Sequence, residues 1–479
     1  MSSIGQTRYV IQDTGQDSVD DISQLPDCIL HHILSFIPTK DVVKTAILSK
    51  RWNNVWTSVS NLDFDDALLY ANETENRYPP EETCFINFVE RVLSLRDASN
   101  IKKFRLSCRV FFNAPCIHSW IASAVMHNVQ KLDICLFVDD PFVLPSSVFC
   151  SQTLTSLKVE MNCVLEFPAI IHLPYLKSLH LSLVTFANDG STQKLFSGCP
   201  VLEELTLLDC EWLNLKDITI ASSTLKRLTI DDLPYFGPPD GPKDCKIKIF
   251  TSNLVYLKYT GYPSNDIFVC DVSSLVKAYI SVPVPHKKQK EVASHVVNLL
   301  KGLSNMLVDL PVFKNLTRLD LTMEFRKSTI EALMKFLKCC PNLQSLFFSE
   351  GFNHDVCLVE NDLVWSSLPK CISSRLKMLT FKNFHGNDAE ICFLKCVLQH
   401  ASVLKKMNIL CCQNVFGDPN RLYEVKKALQ AVSKGSNWLY FFLKMAAMVP
   451  VFDFLAYLST AVCDEVPIFK FRPVYLSIC

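Results

Sequence analysis

Cys392, Cys396 and His400 are the residues whose types and spacing come nearest to a metal site. They stand at i, i+4 and i+8 in a helix predicted over Asp388–His400, and Cys411 and Cys412 follow. Thiolates and an imidazole on one helical face can hold zinc. Phe393, Leu394 and Val397 surround them, however, and structural zinc usually brings close paired ligands. Buried packing is the expected role, because an unmodified cysteine behaves as a small hydrophobe. Cys339 and Cys340 are read the same way. No H-E-x-x-H, G-x-S-x-G or phosphate-loop pattern occurs, and the scattered His and Cys residues form no catalytic pair. The expectation is a non-catalytic chain without metal or cofactor.

Composition narrows the class. The chain has 479 residues, of which 49% are apolar and 20% charged, so most of it should be packed. Lys+Arg and Asp+Glu both number 48, which leaves no electrostatic footprint for nucleic acid or an anionic membrane. The 21 cysteines are odd in number, and many lie in apolar runs. The first twenty residues lack the pattern of a secretory signal. Reduced, buried thiols in a cytoplasmic or nuclear protein are expected. The sequons at Asn72 and Asn315 are then without consequence.

The elements that carry these residues repeat. The unit apolar-x-x-apolar-x-apolar begins at residues 101, 129, 154, 176, 202, 225, 254 and 275, then at 316, 343, 376 and 404. Val59-Leu62-Phe64 is a possible first copy. Starts are mostly 21–29 residues apart, with wider gaps of 33, 41 and 42. One L-x-x-L-x-L match is weak, but a dozen at a steady spacing (about 20–29 residues per repeat) mark a leucine-rich-repeat array. Each unit supplies a short strand whose leucines point inward. Alone it has too little core and must stack on its neighbours. The repeat count argues against ordinary strands of an α/β enzyme. Helices are predicted outside the array at Glu291–Leu303 and Ser328–Leu337.

The segment Gln24–Trp56 reads differently. It has a Leu-Pro start, two short apolar helical patterns around Pro38, and a Lys-Arg-Trp end. Leu25, Ile29, Ile33, Leu34, Ile47, Leu48, Trp52 and Trp56 exceed what three short helices can bury, so part of this surface should face a partner.

Residues 21–66 resemble a plant-type F-box. Leu25-Pro26, Ile29, Ile33-Leu34, Pro38, Ser49-Lys50-Arg51-Trp52 and Trp56 fall in register with it. The array resembles the leucine-rich repeats that follow such F-boxes, and residues 355–432 resemble the FBD domain of the same family. The resemblance implies an α/β architecture: a three-helix F-box, a curved, mostly parallel solenoid with helices and irregular segments outside, and an FBD-like cap. The expected boundaries are a leader at 1–20, the F-box at 21–66, repeats at 67–354, the FBD-like domain at 355–432 and an atypical apolar tail at 433–479. It further implies a substrate receptor of a cullin–RING ubiquitin ligase that binds an SKP-type adaptor and, through it, the cullin and RING subunits. By that resemblance Leu25 and Pro26 start the first helix at the adaptor, Ile29 and Leu34 face it, and Lys50 and Arg51 rim the contact. The implied adaptor set also takes in Ile33, Ile47, Leu48 and Trp52, with the alternative that Trp52 and Trp56 are internal anchors to the first repeats. A leucine-rich-repeat scaffold without ligase coupling is the alternative.

The residues flanking the inward leucines should line a concave face for a protein substrate. Lys158, His180, Glu204, Arg227, Tyr256, Lys258, Arg318 and Asp320 are the candidates. Their mixed signs suit protein recognition and not a phosphate backbone. The chain departs from the family pattern twice. Around residues 302–316 it is one repeat strand short, and beyond Lys434 it runs on for over forty residues of unrelated, largely apolar sequence. Within that tail Met445–Val462 carries Asp453 near its centre, which disfavours a bilayer span.

Overall fold

The computed structural model describes residues 22, 25–67, 82–109, 113–138, 142–212, 214–232, 245–261, 266–270, 273–282, 313–323, 325–352, 368–432 and 440–445. The predicted helix Glu291–Leu303, the short repeat at 302–312, the leader and most of the tail lie outside these residues. The chain divides into two compact units, Met1–Val272 and Ser273–Cys479.

The first unit begins with α1 (Asp27–Leu34), α2 (Thr39–Lys44) and α3 (Trp52–Val55). Pro26 and Pro38 stand at the N-caps of α1 and α2. There a missing N–H costs nothing and a fixed φ starts the helix. Eight strands follow: β1 (Asn61–Asp65), β2 (Lys103–Cys108), β3 (Lys131–Leu136), β4 (Ser156–Met161), β5 (Ser178–Ser182), β6 (Glu204–Leu208), β7 (Arg227–Asp232) and β8 (Tyr256–Gly261). Each pairs in parallel with the next. The register aligns Leu62, Phe104, Leu132, Leu157, Leu179, Leu205, Leu228 and Leu257 in one row. All eight are buried. Val59-Leu62-Phe64 is therefore a true first copy.

Helices α4 (Glu82–Leu95), α5 (Ala114–Met126) and α6 (Asp189–Ser197) lie between strands in the chain. Later repeats depart from the expected helices or irregular segments. Asp217–Ala221, Lys246–Phe250 and Asp266–Cys270 form a second parallel sheet of three strands. DITIA and KIKIF alternate at period two, and all three, with DIFVC, carry β-branched residues, so they take strand and not helix.

The second unit repeats the plan with β9 (Lys277–Val282), β10 (Arg318–Met323), β11 (Ser345–Phe348), β12 (Met378–Phe384), β13 (Lys406–Cys411) and β14 (Tyr440–Met445), again parallel. Helix α7 (Lys327–Lys338) follows β10, close to the prediction Ser328–Leu337. α8 (Lys370–Ser374) precedes β12. α9 spans Asp388–His400 as predicted. α10 (Gln413–Phe416) and α11 (Pro419–Val432) come after β13. The apolar tail was expected to be unrelated to the repeats. Tyr440–Met445 instead adds β14, with Phe441 opposite Met407 and Leu443 opposite Ile409.

Asparagines stitch successive repeats together. Asn253, Asn315 and Asn342 precede the first leucine of their copies. Each donates its side-chain amide to a carbonyl of the copy before, that of Ser223 (2.6 Å), Ser273 (3.0 Å) and Lys314 (2.8 Å). In the second unit a buried carboxylate does the same work between α9 and the turn after β11. Glu390 Oε1 accepts from the Phe352 N–H (2.8 Å), and Oε2 accepts from those of His385 (2.9 Å) and Asn387 (3.3 Å). Asn387 completes a capping box at the start of α9. Phe348, Phe352, Phe381 and Phe393 pack on one another with centroids 5.1–6.4 Å apart. Gly351 has to lack a side chain, since a Cβ there would lie 2.5 Å from Asn383 O and 2.6 Å from Glu390 Oε1.

Candidate functional site

Two surfaces of the chain are built to meet something else. The first is the helical module. On α1, Leu30 and Leu34 share the inward face and are buried with Val42, Trp52, Val55 and Trp56. Ile29 and Ile33 share a neighbouring face, each 44% exposed. Beyond α1, Phe36 and Ile37 are 74% and 38% exposed. At the end of the turn after α2, Ile47 and Leu48 are 87% and 62% exposed. Six large apolar side chains within twenty residues are left in water, a cluster larger than stray exposure gives.

This sorts the expected adaptor residues. Pro26, Ile29, Ile33, Ile47, Leu48, Lys50 and Arg51 are exposed, and Leu25 is partly so. Leu34 is a correction: at 2% exposure it belongs to the module's core and supports the surface from behind, and Trp52, at 4%, takes the internal place that was its alternative. Phe36 and Ile37 were missed. They sit between helices, where no periodicity marks a face. Arg51 does more than rim the module. Its guanidinium donates to the Leu25 carbonyl and to Asp27 Oδ1, both at 2.5 Å, and so clasps the start of α1. That hydrogen bond holds the Asp27 carboxyl below its ordinary range.

The module is fixed to the sheet. The Asp63 N–H of β1 donates to Thr39 Oγ1 (2.6 Å), and Asn61 Nδ2 donates to the Ser35 carbonyl (3.2 Å). Thr39 is itself buried. Whatever the helices hold is thus held rigidly against the first repeat.

The second surface is the open side of the strands. The register sets Asp63, Arg105, Asp133, Lys158, His180, Thr206, Thr229 and Lys258 side by side across β1–β8. Most charges there are paired across strands. Arg105 bridges Asp63 (2.7 Å) and Asp65 (3.0 Å). Lys158 lies 3.8 Å from Asp133 and 3.9 Å from Glu160. Arg227 forks onto Glu204 at 3.1 and 3.2 Å, and Lys258 meets Asp231 at 3.0 Å. Tyr256 is half-buried in the row beside Arg227. In the second unit Arg318 grips Asp320 at 2.9 and 3.0 Å and stacks on Phe347 (4.2 Å) and Tyr279 (5.4 Å). The eight expected face residues all stand on these open sides: six in the first unit, with Arg318 and Asp320 in the second.

His180 is the odd member. Burial pushes its imidazole down to about 4, and Lys158 adds to the effect. It is therefore neutral at physiological pH. The unfolded chain, with an ordinary value of 6.5, takes up the proton first as pH falls. The folded state is thus weakened progressively between those values. His180→Gln removes this term. The loss of stability between about pH 7 and about pH 4.5 should shrink by on the order of 2 kcal/mol, read from urea midpoints at the two pH values.

The cysteine cluster behaves as a packing element. Cys392 is buried, Cys396 is half-buried, and exposed His400 turns its Nδ1 to the Cys396 carbonyl at 2.9 Å. Among the described residues no three His, Cys, Asp or Glu side chains gather as a metal site. Burial raises the thiols of Cys199, to about 12, and Cys371, to about 11. Such thiols stay protonated and are poor nucleophiles. Among the described residues no helix is long and apolar enough to cross a membrane.

Three family models match the chain: the F-box domain over residues 22–64, the LRR repeats of FBD-associated F-box protein At5g56370 over 117–234, and FBD over 364–409. Similar Arabidopsis thaliana proteins span most of it. The putative F-box/FBD/LRR-repeat protein At3g59240 is 33% identical over 406 residues, covering 76% of this chain and 77% of its own. The putative F-box protein At3g58860 is 30% identical over 442 residues, covering 87% and 93%. The F-box/LRR-repeat protein At4g14096 is 33% identical over 392 residues, covering 76% and 81%.

Proposed function

Because the chain belongs to the plant F-box/FBD/LRR-repeat family, we propose that it is the substrate-recognition subunit of an SCF-type cullin–RING ubiquitin ligase. The exposed apolar surface of α1 and the turns around α2 docks an SKP-type adaptor, which joins the chain to cullin and RING subunits. The open strand face recruits a protein target. We assign residues 21–66 to the F-box, 67–354 to the repeats and 355–432 to the FBD-like part, with work in the cytoplasm or nucleus. The chain performs no chemistry itself. Holding the target beside the ligase's loaded ubiquitin carrier turns a bimolecular encounter into an effectively intramolecular one.

One observation carries this reading. A fold that buries Leu30, Leu34, Trp52 and Trp56 completely leaves Ile29, Ile33, Phe36, Ile47 and Leu48 in water within the same module. Replacing Leu25 and Pro26 together by Ala should cost about 2 kcal/mol or more of adaptor affinity, the scale of a binding hot spot. A pull-down with purified adaptor checks it, and undiminished capture by the double variant would refute the docking assignment. If adaptor never co-purifies with the wild-type chain, the alternative of a repeat scaffold without ligase coupling takes its place.

A further inference from the structure

Resting on the reading of the open strand face as the target surface, we propose that the target is gripped at β5–β7 through an extended, uncharged polar peptide segment. The charges on either side are already committed. Toward β1, Arg105 and Lys158 are held by Asp63, Asp65, Asp133 and Glu160. Toward the ends of β6 and β7, Arg227 is held by Glu204, and Asp231 is held by Lys258 of β8. A charged segment would compete with these pairs, most of them half-buried, and a half-buried charge left unmatched is costly.

Between them lies a window without net charge. His180, Thr206 and Thr229 stand side by side on three adjacent strands. Ser178 and Ser182 flank His180 along β5, and Leu208 adds an apolar edge. These groups are half-buried to buried, and no side-chain hydrogen bond to another described residue engages His180, Thr206, Thr229, Ser178 or Ser182. Each hydroxyl both donates and accepts, and so does a neutral imidazole. That dual capacity matches amide groups, whether of a peptide backbone or of Asn and Gln side chains. Strands lie about 4.8 Å apart, so three of them span roughly 10 Å, the reach of about three extended residues. His180 keeps its neutral form in place because burial and Lys158 disfavour the proton, while Glu160 and Glu204 oppose this only in part.

The test uses the full chain bound to its adaptor and a random-peptide display library as the probe. The peptides enriched should be uncharged and rich in Asn, Gln, Ser or Thr. Their binding should hold through an about tenfold rise in salt, since no exposed ion pair is being screened. Thr206→Glu with Thr229→Glu should weaken them at least about tenfold, with adaptor capture unchanged and a cooperative melt retained at a lowered midpoint. Enrichment of acidic or basic peptides, salt-sensitive binding, equal retention by the Glu variant, or no enrichment over it would each overturn the proposal. If adaptor capture persists through such a result, only the window assignment falls. Loss of adaptor capture by the wild-type chain would instead strike the ligase reading itself.

Discussion

Ile47→Asp combined with Leu48→Asp should abolish capture of the SKP-type adaptor while leaving the chain folded. The two side chains are 87% and 62% exposed at the end of the Thr45–Ile47 turn, so neither contributes much to the module's interior. Folding should therefore change by no more than about 0.5 kcal/mol, as for an ordinary surface substitution. Binding is another matter. Two carboxylates placed where an apolar interface closes must be desolvated without partners, and two apolar contacts are lost with them. A loss of about 3 kcal/mol or more follows, over a hundredfold in affinity. Leu34→Ala gives the contrasting pattern. It empties a core position and should cost about 2–5 kcal/mol of stability, weakening adaptor binding only through unfolding. Circular dichroism melts beside a pull-down separate the two outcomes.

Glu390→Ala should destabilise the second unit by about 3–5 kcal/mol. The carboxylate is fully buried and satisfies three backbone N–H groups, those of Phe352, His385 and Asn387. Each donor stripped of its acceptor in the interior costs about 1–3 kcal/mol. Glu390→Gln keeps the shape but turns an amide NH2 toward one of those donors, so roughly half the loss should remain. Urea unfolding followed by near-UV circular dichroism reads both. The adaptor pull-down should be untouched, because Ile29, Ile33, Ile47 and Leu48 belong to the other unit.

The repeat was legible because inward leucines recur at a fixed offset in every strand. Even Val59-Leu62-Phe64, separated from the next copy by a long gap, takes its place as β1. The strand Tyr440–Met445 was hidden by its own composition, since four consecutive apolar residues before Lys444 carry no period-two signal. The outer strands Asp217–Ala221 and Lys246–Phe250 did carry that signal, and the expectation of helices in repeat exteriors overrode it. In the helical module, the family resemblance placed Leu34 at the adaptor. Helical periodicity would have separated Leu30 and Leu34 from Ile29 and Ile33. The charge pairing of the open face was not legible at all. Arg105 meets Asp63 across 42 residues and Arg227 meets Glu204 across 23, so strand register has to be known first. Glu390 was readable, since Asn387 three residues ahead of it spells a capping box. Its reach to Phe352 was not.

Calorimetric titration of the purified full-length chain with an SKP-type adaptor measures the central assignment directly. Saturable binding at about micromolar affinity or tighter, with one adaptor per chain and a negative heat-capacity change from apolar burial, is the predicted result. No binding at those concentrations, by a chain whose melt shows it folded, would contradict it.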